Sequence, residues 1–435
     1  MSHFLLPCTP IYGHVAPLVS IGRGLQARGH RVSMLTGSKY RAAVEDAGLE
    51  FLPIPPEVDY DDARLDLWLS PGPRSGIGAA RHAILEMFVR PLVAQHRSLT
   101  QALAATSYDA VVCEAAFLGV LPLLMTAPAG QRLPVAGVSV TPMSLTSVDC
   151  APFGSGLDPG RSAHTRRRNR FIHVVLHRGP LRSLHTELDA ALRATGVRES
   201  AGNYFDQVRR FDVTFQLSVP GMEYPRREMP PTVQFVGPLR PVPPAVALPN
   251  WWGDLDGRRV VHVTQGTLAN ADLGRLLAPA LRGLADEDVL VVAATGGRPL
   301  SDLAAVYGGP LPDNVRVATF LPYDQLLPRT DVMVTNGGFG GVQQALAYGV
   351  PLVVAGDSED KPEVAGRVAW SGAGLNLRTG SPSPRRVRKA VRAALADPRY
   401  RSQAARLQQQ IRDHGDPVDT IAVALAELTA VSQHR

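Results

Sequence analysis

The sequence predicts an α/β protein built from two doubly wound domains that face each other across a cleft. Three observations carry this expectation. The chain has 435 residues, beyond the ~250–300 at which a single core usually stops growing. It opens on strand, loop, helix and strand in succession, a unit that implies a parallel sheet. After a proline-rich stretch the same alternation begins again.

In the first half, His3–Leu6 form a short apolar run that Pro7 is expected to end, followed by a glycine-containing loop and a helix-period segment from Pro17 to Arg28. Gly29 suits a helix stop, and Arg31–Thr36 reads as the next strand. A helix near Tyr40–Ala47 precedes a strand at Glu50–Leu52, and the runs Ala110–Cys113 and Val135–Val140 look like buried strands. Residues 59–75 and 151–162 are rich in Asp, Pro, Gly and Ser and read as long loops near the carboxyl edge of the sheet, where open α/β sheets bind ligands.

The segment Gly237–Pro249 (GPLRPVPPAVALP) reads as an extended linker. It divides residues 1–236 from a second domain at 250–410. There the expected elements are strand Val260–Thr264, helix Leu273–Leu284, strands Val289–Ala294, Val315–Ala318 and Val332–Thr335, a helix from Gly340 and strand Leu352–Ala355. Residues 384–431 read as two or three helices, and 411–435 as a terminal helix packing back on the first domain. No fixed-period repeat relates the halves, so the chain is not a solenoid.

Forty-five Lys and Arg against 39 Asp and Glu leave a formal charge of +6, interspersed rather than patched. That argues against a nucleic-acid footprint. The denser cluster Arg166, Arg167, Arg168 and Arg170 reads as a solvated face, with a basic rim toward an anionic donor or a membrane surface as the alternative. Cys8, Cys113 and Cys150 are too few and scattered for a disulfide framework or zinc site and fit a reducing compartment. With no basic leader ahead of the first strand and no apolar stretch of the ~18–20 residues that span a bilayer, a cytoplasmic location without integral membrane association is expected.

The chemistry concentrates in Val334–Val368. Gly337, Gly338, Gly340 and Gly341 lie between a strand and a helix, where bare amides and the helix dipole favour a closely approaching anion such as pyrophosphate. A tight turn needing glycine for shape alone is the competing reading, and four glycines in five positions favour the phosphate. Gln265-Gly266-Thr267, after the strand ending at Thr264, repeats the strand-to-loop geometry and suits a second phosphate or a plain turn. No DxD lies between apolar strands and no His/Cys cluster has ligand spacing, so no metal or cofactor is expected.

Phe320-Leu321-Pro322-Tyr323, Asn336-Gly337-Gly338, Gly340-Gly341 and Asp360-Lys361, in that order and with Gly13-His14-Val15-Ala16-Pro17 near the start, resemble the family 1 glycosyltransferases of the GT-B fold, closest in type to bacterial macrolide and natural-product members. The resemblance implies two Rossmann-like domains, a nucleotide-sugar donor (UDP or dTDP) in the second, and a hydrophobic small-molecule acceptor in the first. It implies donor contacts from Gln265, Thr267, Phe320, Leu321, Asn336, Gly338, Gly340, Gly341, Val342, Gln344, Asp360 and Lys361. Phe320 stands where such enzymes usually carry tryptophan against the base, Asn336 where they carry a phosphate-binding histidine, and Gln344 where a glutamate binds the ribose. Asp360 matches their sugar-contacting aspartate, while Lys361 replaces glutamine.

The resemblance also makes His14 the general base of an inverting displacement. An imidazole of near-neutral pKa suits removal of a hydroxyl proton, and its expected place is the loop after the first strand. A capping or buried hydrogen-bonded histidine is the bland reading of that position. The partner that would fix the tautomer falls on Glu114, at the end of YDAVVCE, where aspartate is usual; Asp109, about 16 Å back along the strand, reads as structural. Neutralising the diphosphate would fall to backbone amides, the helix dipole and Asn336. Leu85–Phe88, Met143–Leu145 and Phe153 suggest an apolar acceptor pocket or simply core. A monomer or homodimer is expected.

Rival readings are a non-catalytic nucleotide-sugar binding protein, a sugar-nucleotide epimerase or hydrolase of the same fold, and a dinucleotide-dependent oxidoreductase. The last predicts GxGxxG directly after the first strand, where this chain has Pro7-Cys8-Thr9-Pro10-Ile11-Tyr12-Gly13.

Overall fold

The computed structural model describes residues 1–73, 76–239, 247–267 and 269–433. Most of the proline-rich segment 237–249 and part of the 59–75 loop therefore lie outside the described residues. Residues 3–235 hold a seven-stranded sheet: β1 (His3–Pro7), β2 (Arg31–Thr36), β3 (Glu50–Pro53), β4 (Ala110–Glu114), β5 (Val135–Ser139), β6 (Val213–Gln216) and β7 (Val233–Phe235). Its order is β3-β2-β1-β4-β5-β6-β7 and every pairing is parallel. A six-stranded sheet follows: β8 (Val260–Thr264), β9 (Leu290–Ala294), β10 (Val315–Ala318), β11 (Val332–Thr335), β12 (Leu352–Val354) and β13 (Gly374–Asn376), in the order β10-β9-β8-β11-β12-β13, again all parallel.

Parallel strands need crossovers that cover both faces, so the central strands are buried on both and read as mostly apolar runs. VVHVT of β8 and LVVAA of β9 are buried along their whole length. Two apolar clusters sandwich the first sheet, one containing Phe4, Leu6, Leu18 and Ile21, the other Leu5, Val111, Leu92 and Phe117. Sheet two is treated alike, with Val261, Val263 and Leu281 on one side and Met333, Val342 and Val354 on the other.

The helices that matter for the site are α1 (Tyr12–Ala27), α2 (Ala163–Arg178), α3 (Phe339–Ala347), α4 (Lys361–Ser371), α5 (Pro398–Asp413) and α6 (Pro417–Gln433). α6 returns to the first domain. Its Ile421 and Leu425 enter the same core as Leu18 and Ile21 of α1, and Arg28 pairs with Asp416 and Asp419. Position 411, expected to open the terminal helix, lies inside α5, and the crossing begins at Asp416.

Several boundaries differ from those expected. β1 continues through Pro7, which pairs with Leu35; proline's φ fits a strand, and the next amide, of Cys8, still bonds the Leu35 carbonyl. α1 begins at Tyr12 rather than Pro17, because the Asp62 carboxylate accepts the Tyr12 amide at 2.8 Å and caps the extra turn. Sequence periodicity carries no trace of a cap arriving from another segment. β6, β7 and β13 went unforeseen, being only four, three and three residues long.

Candidate active site

In both sheets the strand order reverses direction beside the first strand of the unit, and at such a switch point the loops diverge to leave a crevice at the strands' carboxyl ends. In the first sheet the switch lies between β1 and β4. Phe4 is level with Ala110 and Leu5 with Val111, so the segment leaving β1 and the last residue of β4 emerge side by side.

That juxtaposition brings His14 to Glu114. Nδ1 lies 3.1 Å from Oε2, the two side chains being 12% and 2% exposed. Neither atom has another partner among the described residues, and their contact is an ion-pair approach rather than a well-aligned hydrogen bond. Glu114 is itself held by its other oxygen, which accepts the Ala116 amide at 2.7 Å. His14 sits in the first turn of α1, not in the preceding loop, which fixes its Cα through the helix. Burial alone would lower the imidazole pKa; the charge and hydrogen-bonding reach of Glu114, then the charges of Asp360 and Asp62, more than offset it and raise the pKa above its ordinary value. The Phe88 ring stacks against the imidazole at 6.0 Å and 30°. Asp109, by contrast, accepts the His3 amide at 2.7 Å at the far end of the sheet.

The second sheet repeats the arrangement between β8 and β11. Thr264 is level with Thr335, so Gln265 and Asn336 leave the sheet together, and the Asn336 amide donates to the Gln265 carbonyl. Oδ1 of Asn336 accepts the Gly338 amide at 3.4 Å. Gly337 alone of the four turn glycines has a positive φ, +88°, and a Cβ there would lie 2.7 Å from Val354. Gly338 caps α3, whose first turn contains Gly340 and Gly341; a Cβ on Gly340 would meet nothing within 4 Å. Gly340 is exposed, and the open space in front of it is of the kind an anion at a helix N-terminus needs. Gln344 follows one turn later, half-buried.

Two expected donor residues have their side chains turned away. The Gln265 carboxamide donates to the carbonyls of Ala269 and Asp272 and accepts from the amides of Leu276 and Leu277, so it builds the loop. Val342 is fully buried in the core beneath α3. Position in the chain does not reveal where either side chain points. Thr267 is exposed on its loop. Leu321 is buried, while Phe320 is 48% exposed at the carboxyl end of β10, its ring edge against Gly297.

Asp360 precedes α4 and Lys361 begins it. Burial raises the Asp360 carboxyl pKa, with the Glu359 charge adding and Lys361 and His14 opposing. Lys361 is 5% exposed, and its ammonium meets the carboxylate of Glu359, which takes a left-handed φ of +56°, rare for a non-glycine. Lys361 lines one cavity with Asn336, Gly356, Arg275 and Asp357. Arg275 and Asp357, paired at 2.7 Å, were not anticipated, and nothing in a lone arginine or aspartate marks them.

Of the apolar acceptor residues, Phe88 and Phe153 face partly outward, Phe153 lying 6.1 Å from Phe205. Leu85, Met143 and Leu145 are core. In the basic cluster Arg166 pairs with Asp149 at 3.0 Å, while Arg167 and Arg170 are exposed on α2. The three cysteines are free and buried. Among the described residues no group of three His, Cys, Asp or Glu is placed to hold a metal ion, and no helix is long and apolar enough to cross a membrane.

Residues 12–127 match the glycosyltransferase family 28 N-terminal domain and residues 279–428 the erythromycin biosynthesis protein CIII-like C-terminal domain. The chain is 41% identical to 4'-demethylrebeccamycin synthase of Lentzea aerocolonigenes, covering 96% of this chain and 97% of that protein. It is 36% identical to UDP-glycosyltransferase 2 of Phaeomoniella chlamydospora, over 98% and 96% of the two chains. Among solved structures, the calicheamicin glycosyltransferase CalG4 superposes with a TM-score of 0.72 at 22% identity, over 99% of this chain and 98% of that one. SnogD of Streptomyces nogalater gives 0.68 at 25%, over 99% of each chain. Near-full-length identity of this order, joined to the two-sheet fold, means that the chain belongs to the family 1 glycosyltransferases of the GT-B fold and natural-product type.

Proposed function

We propose that this glycosyltransferase moves a sugar from a nucleoside-diphosphate sugar to a hydroxyl of a hydrophobic natural product, by direct inverting displacement and without a metal ion. The observation that carries the reading is the His14–Glu114 pair at the switch point of the first sheet. In this mechanism neutral His14 removes the acceptor hydroxyl proton through Nε2, while Glu114 holds Nδ1–H and stabilises the imidazolium that forms. The oxygen attacks the anomeric carbon as the bond to the diphosphate breaks, so an α-linked donor yields a β-linked product.

The departing charge falls on the amides at the start of α3, supported by the helix dipole. Phe320 offers an exposed ring for the base, Asn336 steadies the phosphate loop, and Asp360 with Lys361 meets the sugar. Uridine is the favoured base, because relatives above 30% identity carry UDP-glycosyltransferase names. VinC, related at 21% identity, was solved with dTDP. Location in the cytoplasm accords with three free, buried cysteines.

Calorimetry with UDP- and dTDP-sugars, followed by product analysis by NMR with hydroxylated polycyclic aromatic acceptors, tests the proposal. A β-glycoside from an α-linked donor, with EDTA present, is the expected result. An α-linked product, or release of free sugar alone, would overturn it.

A further inference from the structure

Glu363 belongs to no part of the donor signature, yet its carboxylate is one of the points at which the two halves of the cleft are joined. It lies on α4, two residues after Lys361, and is buried. One oxygen, Oε1, accepts two amides from the other domain, Gly154 at 2.9 Å and Gly156 at 3.2 Å. These belong to the 151–162 loop that follows β5 and carries Phe153. Both glycines have positive φ, +87° and +60°. That backbone form, closed to most other residues, turns the two N–H groups onto a single acceptor.

The second oxygen, Oε2, is fixed independently by Arg367 Nη1 at 2.7 Å. Arg367 is wholly buried and spans the same junction, donating to Glu223 at 2.9 Å and to the Met143 carbonyl at 2.9 Å. The Glu363 side chain is therefore anchored on the donor side before it meets the loop.

We propose that Glu363 is a positioning residue that pins the 151–162 loop to the helix bearing Asp360 and Lys361, so that occupancy of the donor site shapes the acceptor wall formed around Phe153. The inference rests on the glycosyl-transfer reading above. A carboxylate accepting two amides is a charge-assisted contact. Its loss frees the loop without touching the His14 pair or the glycine-rich turn. Donor bound against the start of α4 restrains that helix, and the restraint passes through one side chain to the loop.

Hydrogen exchange of segment 151–162, followed by mass spectrometry on the full-length protein, tests this with UDP as the probe. Without ligand, Glu363→Ala should exchange in this segment on the order of tenfold faster than the parent, with Glu363→Gln between the two, because its carbonyl oxygen can still accept both amides while its NH2 group meets Arg367 Nη1 where an oxygen accepted before. Saturating UDP should slow the segment further in the parent and leave Glu363→Ala unchanged. With quercetin as acceptor probe, Glu363→Ala should raise the acceptor KM about tenfold, while the donor KM and kcat stay within twofold. Gly154→Ala strains the loop yet leaves Arg367 paired, and should reproduce the KM effect even if Glu363→Ala folds poorly.

Equal exchange in the parent and Glu363→Ala would overturn the pin. A fall in kcat at unchanged acceptor KM, the signature of a smaller folded fraction, would do so as well. If UDP fails to bind the parent, the donor reading and the coupling fall together, and the ligand-free exchange still decides whether Glu363 holds the loop.

Discussion

His14 and Glu114 come from segments 100 residues apart in the chain and meet at 3.1 Å because β1 and β4 are neighbours in a parallel sheet. Replacing His14 by Ala should cut transfer by ~10²–10⁴-fold, the usual contribution of a general base, with donor affinity nearly unchanged. Glu114→Gln should slow transfer less, since a carboxamide still accepts from Nδ1–H. Single-turnover rates beside calorimetric donor titration make the check. A loss below about threefold for His14→Ala would remove the residue from the mechanism.

The electrostatics of the same pair set a pH dependence. The base must be neutral, so kcat/KM should fall as pH drops through the raised His14 pKa, with a midpoint above the ordinary 6.5. In Glu114→Gln the raising charge is gone and burial remains, so the midpoint should move down. Stability follows the opposite course to rate. A folded-state pKa above the unfolded value favours folding while the ring is protonated, and that contribution is lost as pH rises through the folded pKa. Melting curves of the parent and His14→Ala should therefore converge toward high pH.

How much of this was open to reading from the chain depends on whether the signal was local. The long apolar strands β8, β9 and β11 and the turn of four glycines are written in consecutive residues, and they appear where expected to within a residue or two. The start of α1 was not legible, since its cap is Asp62, fifty residues downstream. Nor was the inward turn of Gln265, which follows from four partners supplied by its own loop. Glu363 and Arg367 are an i, i+4 pair within one helix, and nothing in that spacing points to Glu223, Gly154 or Gly156 in the other domain. Side-chain direction and contacts between domains are properties of the assembled fold, and periodicity does not encode them.

That domain junction should be costly to break on one side. Glu223 accepts from Arg367 at 2.9 Å and also from the Met143 amide at 3.0 Å, with both charged groups excluded from water. Glu223→Ala would leave part of the Arg367 charge uncompensated, at a cost of about 3–5 kcal/mol. The expected fall in Tm is roughly 6–20 °C, the scale for a domain of this size. Joint replacement by apolar side chains, Glu223→Leu with Arg367→Met, should recover only part of it, because Glu363 then loses its Arg367 partner and Arg226 its Glu223 partner. Calorimetric melting of the single and double variants distinguishes a charge effect from simple loss of packing.

Chelation should leave the reaction intact. The described residues around the cleft supply no acidic cluster for a cation, and the diphosphate charge is assigned to backbone amides. Turnover after dialysis against EDTA is the measurement, and strict recovery by magnesium or manganese would show that a cation takes part.

The last prediction separates a phosphate cradle from a structural turn, using two glycines three residues apart. Gly337 is structural on the geometry: its φ is +88° and a Cβ would press on Val354 at 2.7 Å. Gly337→Ala should lower Tm and weaken donor binding only through the folded fraction. Gly340 has a helical backbone and empty space where its Cβ would stand, so a side chain there costs the free protein little. Gly340→Val should therefore melt close to the parent, yet its branched side chain would occupy the volume in front of the first-turn amides of α3, where the diphosphate is placed. UDP and UDP-sugar should weaken in parallel, since they share the obstructed contact, while acceptor binding in the other domain changes little. Thermal unfolding of the ligand-free variants with calorimetry of UDP binding gives both readouts. A Gly340→Val protein that melts normally and binds UDP as tightly as the parent would move the phosphate site away from α3, toward Gly266 and Thr267 after β8.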